Sequence, residues 1–238
     1  MQTQRTTGWL LLAGAAGVLI PYTLLTIQFQ YPDILRKDAG TILTTFHAGG
    51  PSLILTWFAF GILGLPLVFA YQQWGRLLRH KSPWMQSITT IGVAGLLVQM
   101  IGLLRWTFVI PALSASYVET TDAATKAAIL VNFRMIHQFA GVLLGEHLGQ
   151  LFTITWTLLL SVVLYRSRAL PRWLSISGIM ISLLYLLAQA ELLATVIPGF
   201  PVWCAAGPVG STLWLVWLVA AGVLLVRGKL KSNGDQHL

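Results

Sequence analysis

Six apolar runs, each long enough to cross about 30 Å of hydrocarbon, constrain this chain more than any other feature. They fall at residues 8–28, 47–71, 88–112, 145–165, 173–197 and 208–226. With no water in a bilayer core, backbone N–H and C=O groups must be satisfied within each run, which makes each run a helix. The expected fold class is therefore all-α: a polytopic membrane helix bundle with six transmembrane helices. One such domain is expected over 1–231, followed by a polar C-terminal tail, 232–238, expected to fray. Composition excludes the soluble alternative: 9% of residues are charged, against about 25% in a typical soluble domain.

Loop charge predicts the orientation. Arg5, Arg76, Arg79, Lys81, Arg166, Arg168, Arg172, Arg227, Lys229 and Lys231 carry ten of the fifteen basic residues. The alternate loops hold Arg36, Lys37, Lys126 and Arg134, balanced by Asp33, Asp38, Glu119 and Asp122. This alternation predicts an N-in, C-in topology. The net charge of +8 would suggest nucleic acid in a soluble chain. Here the basic residues sit in short loops, where they set orientation and meet anionic lipid, so membrane lipids and no nucleic acid are the expected partners. The N-terminus is basic like a signal peptide, but its apolar run of about 20 residues is too long for an h-region; it reads as an uncleaved first span. Trp9, Trp74, Trp84, Trp173 and Trp203 lie near span ends and are expected in an interfacial belt. A single cysteine, Cys204, excludes an intrachain disulfide and a thiolate metal cluster.

Two extramembrane helices are expected, a short one after Tyr31-Pro32-Asp33 and an amphipathic one at 121–134 on Ala127, Leu130, Val131 and Arg134. Unbroken helix from Asp122 to Tyr165 would be about 65 Å long. It must project from the membrane, lie partly in the interface, or bend at Gly141 or Gly145. Pro21, Pro66 and Pro111 are further expected bends.

The functional reading rests on ionisable residues inside apolar runs, each costing roughly 2.5–3.5 kcal/mol on insertion scales. Arg105, Glu146, His147, Glu191 and His47 all fall towards the outer ends of their runs, which predicts one outward-facing polar pocket. Glu146, Gln150, Thr153 and Thr157 form one polar stripe. His137, Gly141, Gly145 and Gly149 form a second, whose small residues let a helix approach closely, within the bundle or from a second copy in a homo-oligomer. Gly92, Gly95, Gln99, Gly102 and Trp106 share a face with Arg105 at its edge. Ser175, Gly178, Ser182, Tyr185 and Gln189 share another, with Glu191 nearly opposite. The expected ligand-binding set is Arg105, Glu146, His147, Gln150, His137 and Glu191.

Three functions compete. The first is a binding or transport module for a small or lipid-like ligand. The second is an integral-membrane enzyme acting on a lipid-like or isoprenoid substrate, with Glu146 as acid, His147 as base and Arg105 as clamp, and with Trp106 and Trp156 lining the pocket. No Gly-x-Ser-x-Gly or His-Glu-x-x-His supports it. The third is a single haem b between His47 and His147, or zinc on His47, Glu146 and His147. Adjacent helical residues point about 100° apart, which disfavours joint ligation by Glu146 and His147. The plainer reading of each residue is structural: an Arg105–Glu146 ion pair, His147 bonded to a carbonyl, His47 at the interface, His137 in water and Glu191 paired locally.

Tyr31-Pro32-Asp33-Ile34-Leu35-Arg36, Phe46-His47-Ala48-Gly49-Gly50, Gly145-Glu146-His147-Leu148-Gly149-Gln150-Leu151-Phe152-Thr153 and Leu170-Pro171-Arg172-Trp173-Leu174 resemble, in order, a bacterial family of six-helix integral membrane proteins catalogued as a domain of unknown function. The Gly-Glu-His-Leu-Gly segment is the most specific part. The resemblance implies a location in the bacterial inner membrane and implies no activity, and no residue role is carried over from it.

Overall fold

A computed structural model describes residues 2–231, so the expected polar tail at 232–238 lies outside the described residues. The described residues form helices and no strands. The helices are α1 (Gln2–Phe29), α2 (Ala39–Ile62), α3 (Leu65–Leu78), α4 (Met85–Phe108), α5 (Ile110–Glu119), α6 (Ala123–Ile136), α7 (Gly149–Ser167), α8 (Arg172–Leu187), α9 (Gln189–Ala194) and α10 (Ala206–Val226). A π-helical segment, His137–Leu148, joins α6 to α7. Six helical stretches are long and apolar enough to cross a membrane: Gln2–Phe29, Ala39–Lys81, Met85–Glu119, Ala123–Ser167, Arg172–Ala194 and Ala206–Val226. The chain is a multi-pass membrane helix bundle.

Local chemistry explains the helix ends. Asp38 caps α2, its Oδ1 accepting the Thr41 N–H at 2.9 Å and its Oδ2 the Thr41 hydroxyl at 2.5 Å. Asp122 repeats the motif on α6: one carboxylate oxygen accepts the Thr125 N–H at 2.8 Å and the hydroxyl at 2.6 Å. Each cap satisfies a helix N–H that has no intrahelical partner. The hydrogen bonds from Thr41 and Thr125, first of all those of their side chains, hold both carboxyl groups below the ordinary carboxylate range. Pro66 and Pro111 follow breaks at Leu63–Gly64 and Val109, whereas Pro21 lies inside an uninterrupted α1. The sharpest irregularity in α2 is Gly50, at φ 56° and ψ −156°, just before Pro51. A side chain is strained in that backbone conformation, and the residue before proline is disfavoured in the α region.

The chain divides into two compact units. Unit 1 comprises residues 1–15, 65–97 and 149–238, as far as they are described. In it α8 packs against both α7 and α10. The expected face is buried: Ser175, Ser182 and Tyr185 of α8 and Gln189 at the start of α9 are at most 8% exposed. Tyr71 stacks on Trp156 with centroids 3.7 Å apart, and Trp74 stacks on Trp217 at 5.9 Å. Trp9, Trp84, Trp173 and Trp203 are exposed as the belt requires, but Trp74 is 1% exposed. It leaves the belt because its ring completes this aromatic core. Trp156, expected to line the pocket, lies in the same core.

Unit 2 comprises residues 16–64 and 98–148. There α2 packs against α5 and α6 around a core that includes Phe29, Phe46, Trp57, Trp106 and Phe133. The short helix expected in the first loop is a 3-10 turn, Asp33–Arg36. The expected face of α6 is corrected: Ile129 and Phe133 are buried, whereas Ala127 and Val131 are exposed. Stronger burial of Ile129 and Phe133 rotates the helix away from the weaker alanine stripe.

Candidate functional site

Arg105 sits on α4 and is only 6% exposed. Its Nη1 donates to the Gly102 carbonyl. The guanidinium rests against Gly141 in the π-helical segment, where a Cβ would stand 2.6 Å from Nη2 and 2.8 Å from Cζ. One turn along, a Cβ on Gly102 would meet the Gly145 Cα at 2.5 Å and the Ala140 carbonyl oxygen at 2.8 Å. The glycine stripe is thus used inside the chain, where it brings the backbone of the 137–148 segment against α4. Widening to a π-helix shifts the register of that segment relative to an α-helix.

Charge and aromatic rings converge on Arg105. Glu146 and Tyr31 interact with it electrostatically, and so does His137. Its Cζ lies 5.2 Å from the Trp106 ring centroid, within cation–π range. Trp106 stacks on Trp57 at 4.8 Å with the rings inclined by 14°. His137 stacks on Phe133 at 5.6 Å and meets the edge of Trp106 at 6.3 Å. Tyr31 meets Trp57 at 5.1 Å. His137 is therefore half-buried among rings, which corrects the reading that places it in water.

Within this cluster four buried polar atoms have no hydrogen-bond partner: Arg105 Nε, Trp57 Nε1, Trp106 Nε1 and His137 Nδ1. Native interiors leave few such groups, because each costs about 1–3 kcal/mol. Three of the four are donors by their chemistry, and His137 Nδ1 is a donor or an acceptor according to tautomer.

The remaining expected residues fall elsewhere. Glu146 and His147 are half-buried neighbours on the π-helical segment, each engaged within the chain. His47 is exposed on α2. Gln150 and Glu191 belong to unit 1. There Gln150 Oε1 accepts from Gln189 Nε2 at 3.0 Å, and the Glu191 carboxylate faces Gly207, 3.9 Å from where a Cβ would stand. Thr153 and Thr157 of the expected polar stripe are at most 2% exposed, and the Thr157 hydroxyl accepts from Trp214 Nε1 at 3.1 Å. Among the described residues no three His, Cys, Asp or Glu side chains converge as metal ligands, so His47, Glu146 and His147 do not form the zinc set. Tyr31 and Trp57 are the members that sequence reasoning missed. The signal for Tyr31 was present in the Tyr-Pro-Asp segment; for Trp57 nothing in a uniformly apolar run distinguishes it.

No curated protein and no solved structure matches this chain. The model of the family described as Domain of unknown function (DUF4386) matches residues 6–222, and the chain, in keeping with its six apolar helices, belongs to that family.

Proposed function

We propose that this protein is a ligand-binding membrane protein whose site is the Arg105 cluster of unit 2. The guest is a small or lipid-like molecule that carries an anionic or hydrogen-bond-accepting group. The observation that supports this reading is that four buried polar atoms in one cluster, Arg105 Nε among them, have no hydrogen-bond partner. A guest that accepts from Arg105 Nε and the two indole N–H groups offsets their desolvation, and Glu146 limits how much net charge the site tolerates. In this reading N-in, C-in insertion in a bacterial inner membrane puts the cluster on the outer side.

The test is native mass spectrometry of the protein extracted in mild detergent, beside oxidised and dithionite-reduced visible spectra. A small-molecule adduct that Trp57→Phe and Trp106→Phe weaken, in proteins that still fold, supports the reading. If the wild type carries no adduct, and Arg105→Gln with Glu146→Gln together fold as well as the wild type, the cluster is a structural ion pair and the reading fails. A Soret band that shifts on reduction and is lost in His147→Ala replaces it with haem binding.

A further inference from the structure

Away from the Arg105 cluster, unit 1 carries an open groove of about 630 Å³ between α3 and α4. That is the size of ordinary small-ligand sites. Its first wall presents Gln72, Gly75 and Arg76 of α3 and Arg79 of the 3-10 turn that follows, and its α4 wall presents Gln86, Thr89, Thr90, Val93, Ala94 and Leu97. Spacings of three and four residues put each set on one helical face.

The lining is graded. The end towards the loop joining α3 and α4 carries Arg76, Arg79 and Gln86; Gly75 lies against Thr89, so Gln72 stands level with Val93 one turn further in, and beyond it Ala94 and Leu97 continue the lining along α4. Arg76, Arg79, Gln72 and Gln86 are exposed, and their side chains make no hydrogen bond or ion pair among the described residues. The hydroxyls of Thr89 and Thr90 donate back to Met85 and Gln86 carbonyls at 2.7 and 3.1 Å, so the arginines and glutamines are the donors facing the groove. Within unit 1, Glu191 is the only acidic residue among the described residues, and it is far along the chain on α9.

The geometry points to a site for one anionic phospholipid, its phosphate held by Arg76 and Arg79 and an acyl chain lying along Val93, Ala94 and Leu97. Charge complementarity selects this occupant. A zwitterionic lipid brings a cation to two arginines, and a second copy of this chain brings more positive charge, since the net charge is +8. A soluble anion would satisfy the arginines and leave the apolar half of the groove empty. Arginine suits the task because its planar fork grips phosphate oxygens in pairs.

The test uses the full chain in an uncharged detergent, with unfolding temperature followed as phosphatidylglycerol or phosphatidylcholine of the same acyl composition is added. Phosphatidylglycerol raises the unfolding temperature saturably and phosphatidylcholine does not. Arg76→Gln with Arg79→Gln raises the half-saturating phosphatidylglycerol concentration about thirtyfold, from roughly one lost phosphate contact per arginine. Arg227→Gln with Lys229→Gln removes equal charge elsewhere and keeps the wild-type response. Ala94→Trp keeps both arginines but blocks the chain track, and it also loses the response. Equal effects of the two lipids on the wild type overturn the site, as do equal losses in the two charge-matched double variants. So does the full shift produced by glycerol phosphate or inorganic phosphate alone, or an Ala94→Trp protein that responds like the wild type.

Discussion

Arg105 and the Arg76–Arg79 pair are the same side chain in opposite settings. Arg105 is 6% exposed and hemmed in by Gly102, Gly141 and Trp106, with Glu146 in its field. Arg76 and Arg79 are exposed and bind nothing in the described chain. A buried guanidinium has to be held by the fold, so its surroundings are built for it and it contributes to whether the fold exists at all. An exposed guanidinium demands nothing of the fold and remains available to whatever anion the surroundings supply. The comparison teaches that charge in an apolar chain occurs in two settings, one organised by desolvation and one left open to the surroundings.

The contrast breaks most directly at Gly141. Gly141→Leu drives a side chain into the Arg105 guanidinium, where even a Cβ has 2.6 Å to Nη2. No monodisperse protein is expected by size-exclusion chromatography; a wild-type elution profile would show that the guanidinium is not held there. Next in size, Arg105→Gln lowers stability by about 3–5 kcal/mol because Glu146 is left uncompensated, and Arg105→Lys does not restore it because the planar fork is lost. Arg76→Gln with Arg79→Gln changes lipid-free stability by less than about 0.5 kcal/mol per site. Thermal or denaturant unfolding of the three proteins side by side decides whether burial separates the two classes.

Trp106→Phe sharpens the contrast within the buried site. It keeps the ring that stacks on Trp57 and deletes an N–H that has no partner in the chain. In guest-free protein, stability is expected to stay level or rise by up to about 1 kcal/mol. A clear loss in a denaturant titration would mean that the N–H is already satisfied.

The smallest effect is the pH dependence of the caps. Asp38 and Asp122 have folded values below the ordinary carboxylate range. Their stabilising contribution is therefore fully present above the unfolded carboxylate value and is lost as pH falls through the lowered folded values. Asp38→Asn and Asp122→Asn should each flatten the acid side of the stability profile and leave the Arg105 effects unchanged. An acid limb as steep as that of the wild type in the double variant would assign the acid sensitivity elsewhere.

Much of the architecture was legible because the dominant forces act locally. Runs such as 88–112 and 208–226 read as membrane helices from length and apolarity alone, and both lie within observed helices except at the Val109 break. Arg105 and Glu146 were legible as a pair of interest because burying either one is costly wherever it lands. The π-helical segment was not legible. Its 12 residues, His137–Leu148, contain no proline, and none of the expected outcomes (projection from the membrane, a place in the interface, or a bend at Gly141 or Gly145) calls for a π-helix. The break at Gly50 was hidden for a related reason: Gly49-Gly50 reads equally well as space for another group. The buried face of α6 was misjudged because Ile129 and Phe133 earn their burial only from what α6 packs against.

By itself the sequence determined that this chain enters a membrane as six helices, since each apolar run must satisfy its own backbone bonds in the absence of water. It also marked Arg105, Glu146 and His147 as residues too costly to be idle. Only the tertiary structure decided that Arg105 interacts with Tyr31 and His137, that Trp57 stacks on the Trp106 ring beside it, that Trp74 leaves the interface for the core, and that Gln150 pairs with Gln189. In an apolar medium, hydrophobicity hardly distinguishes one helix face from another. Close approach at small residues and the satisfaction of a few polar atoms choose the partners, and those are properties of pairs of helices that no single run contains.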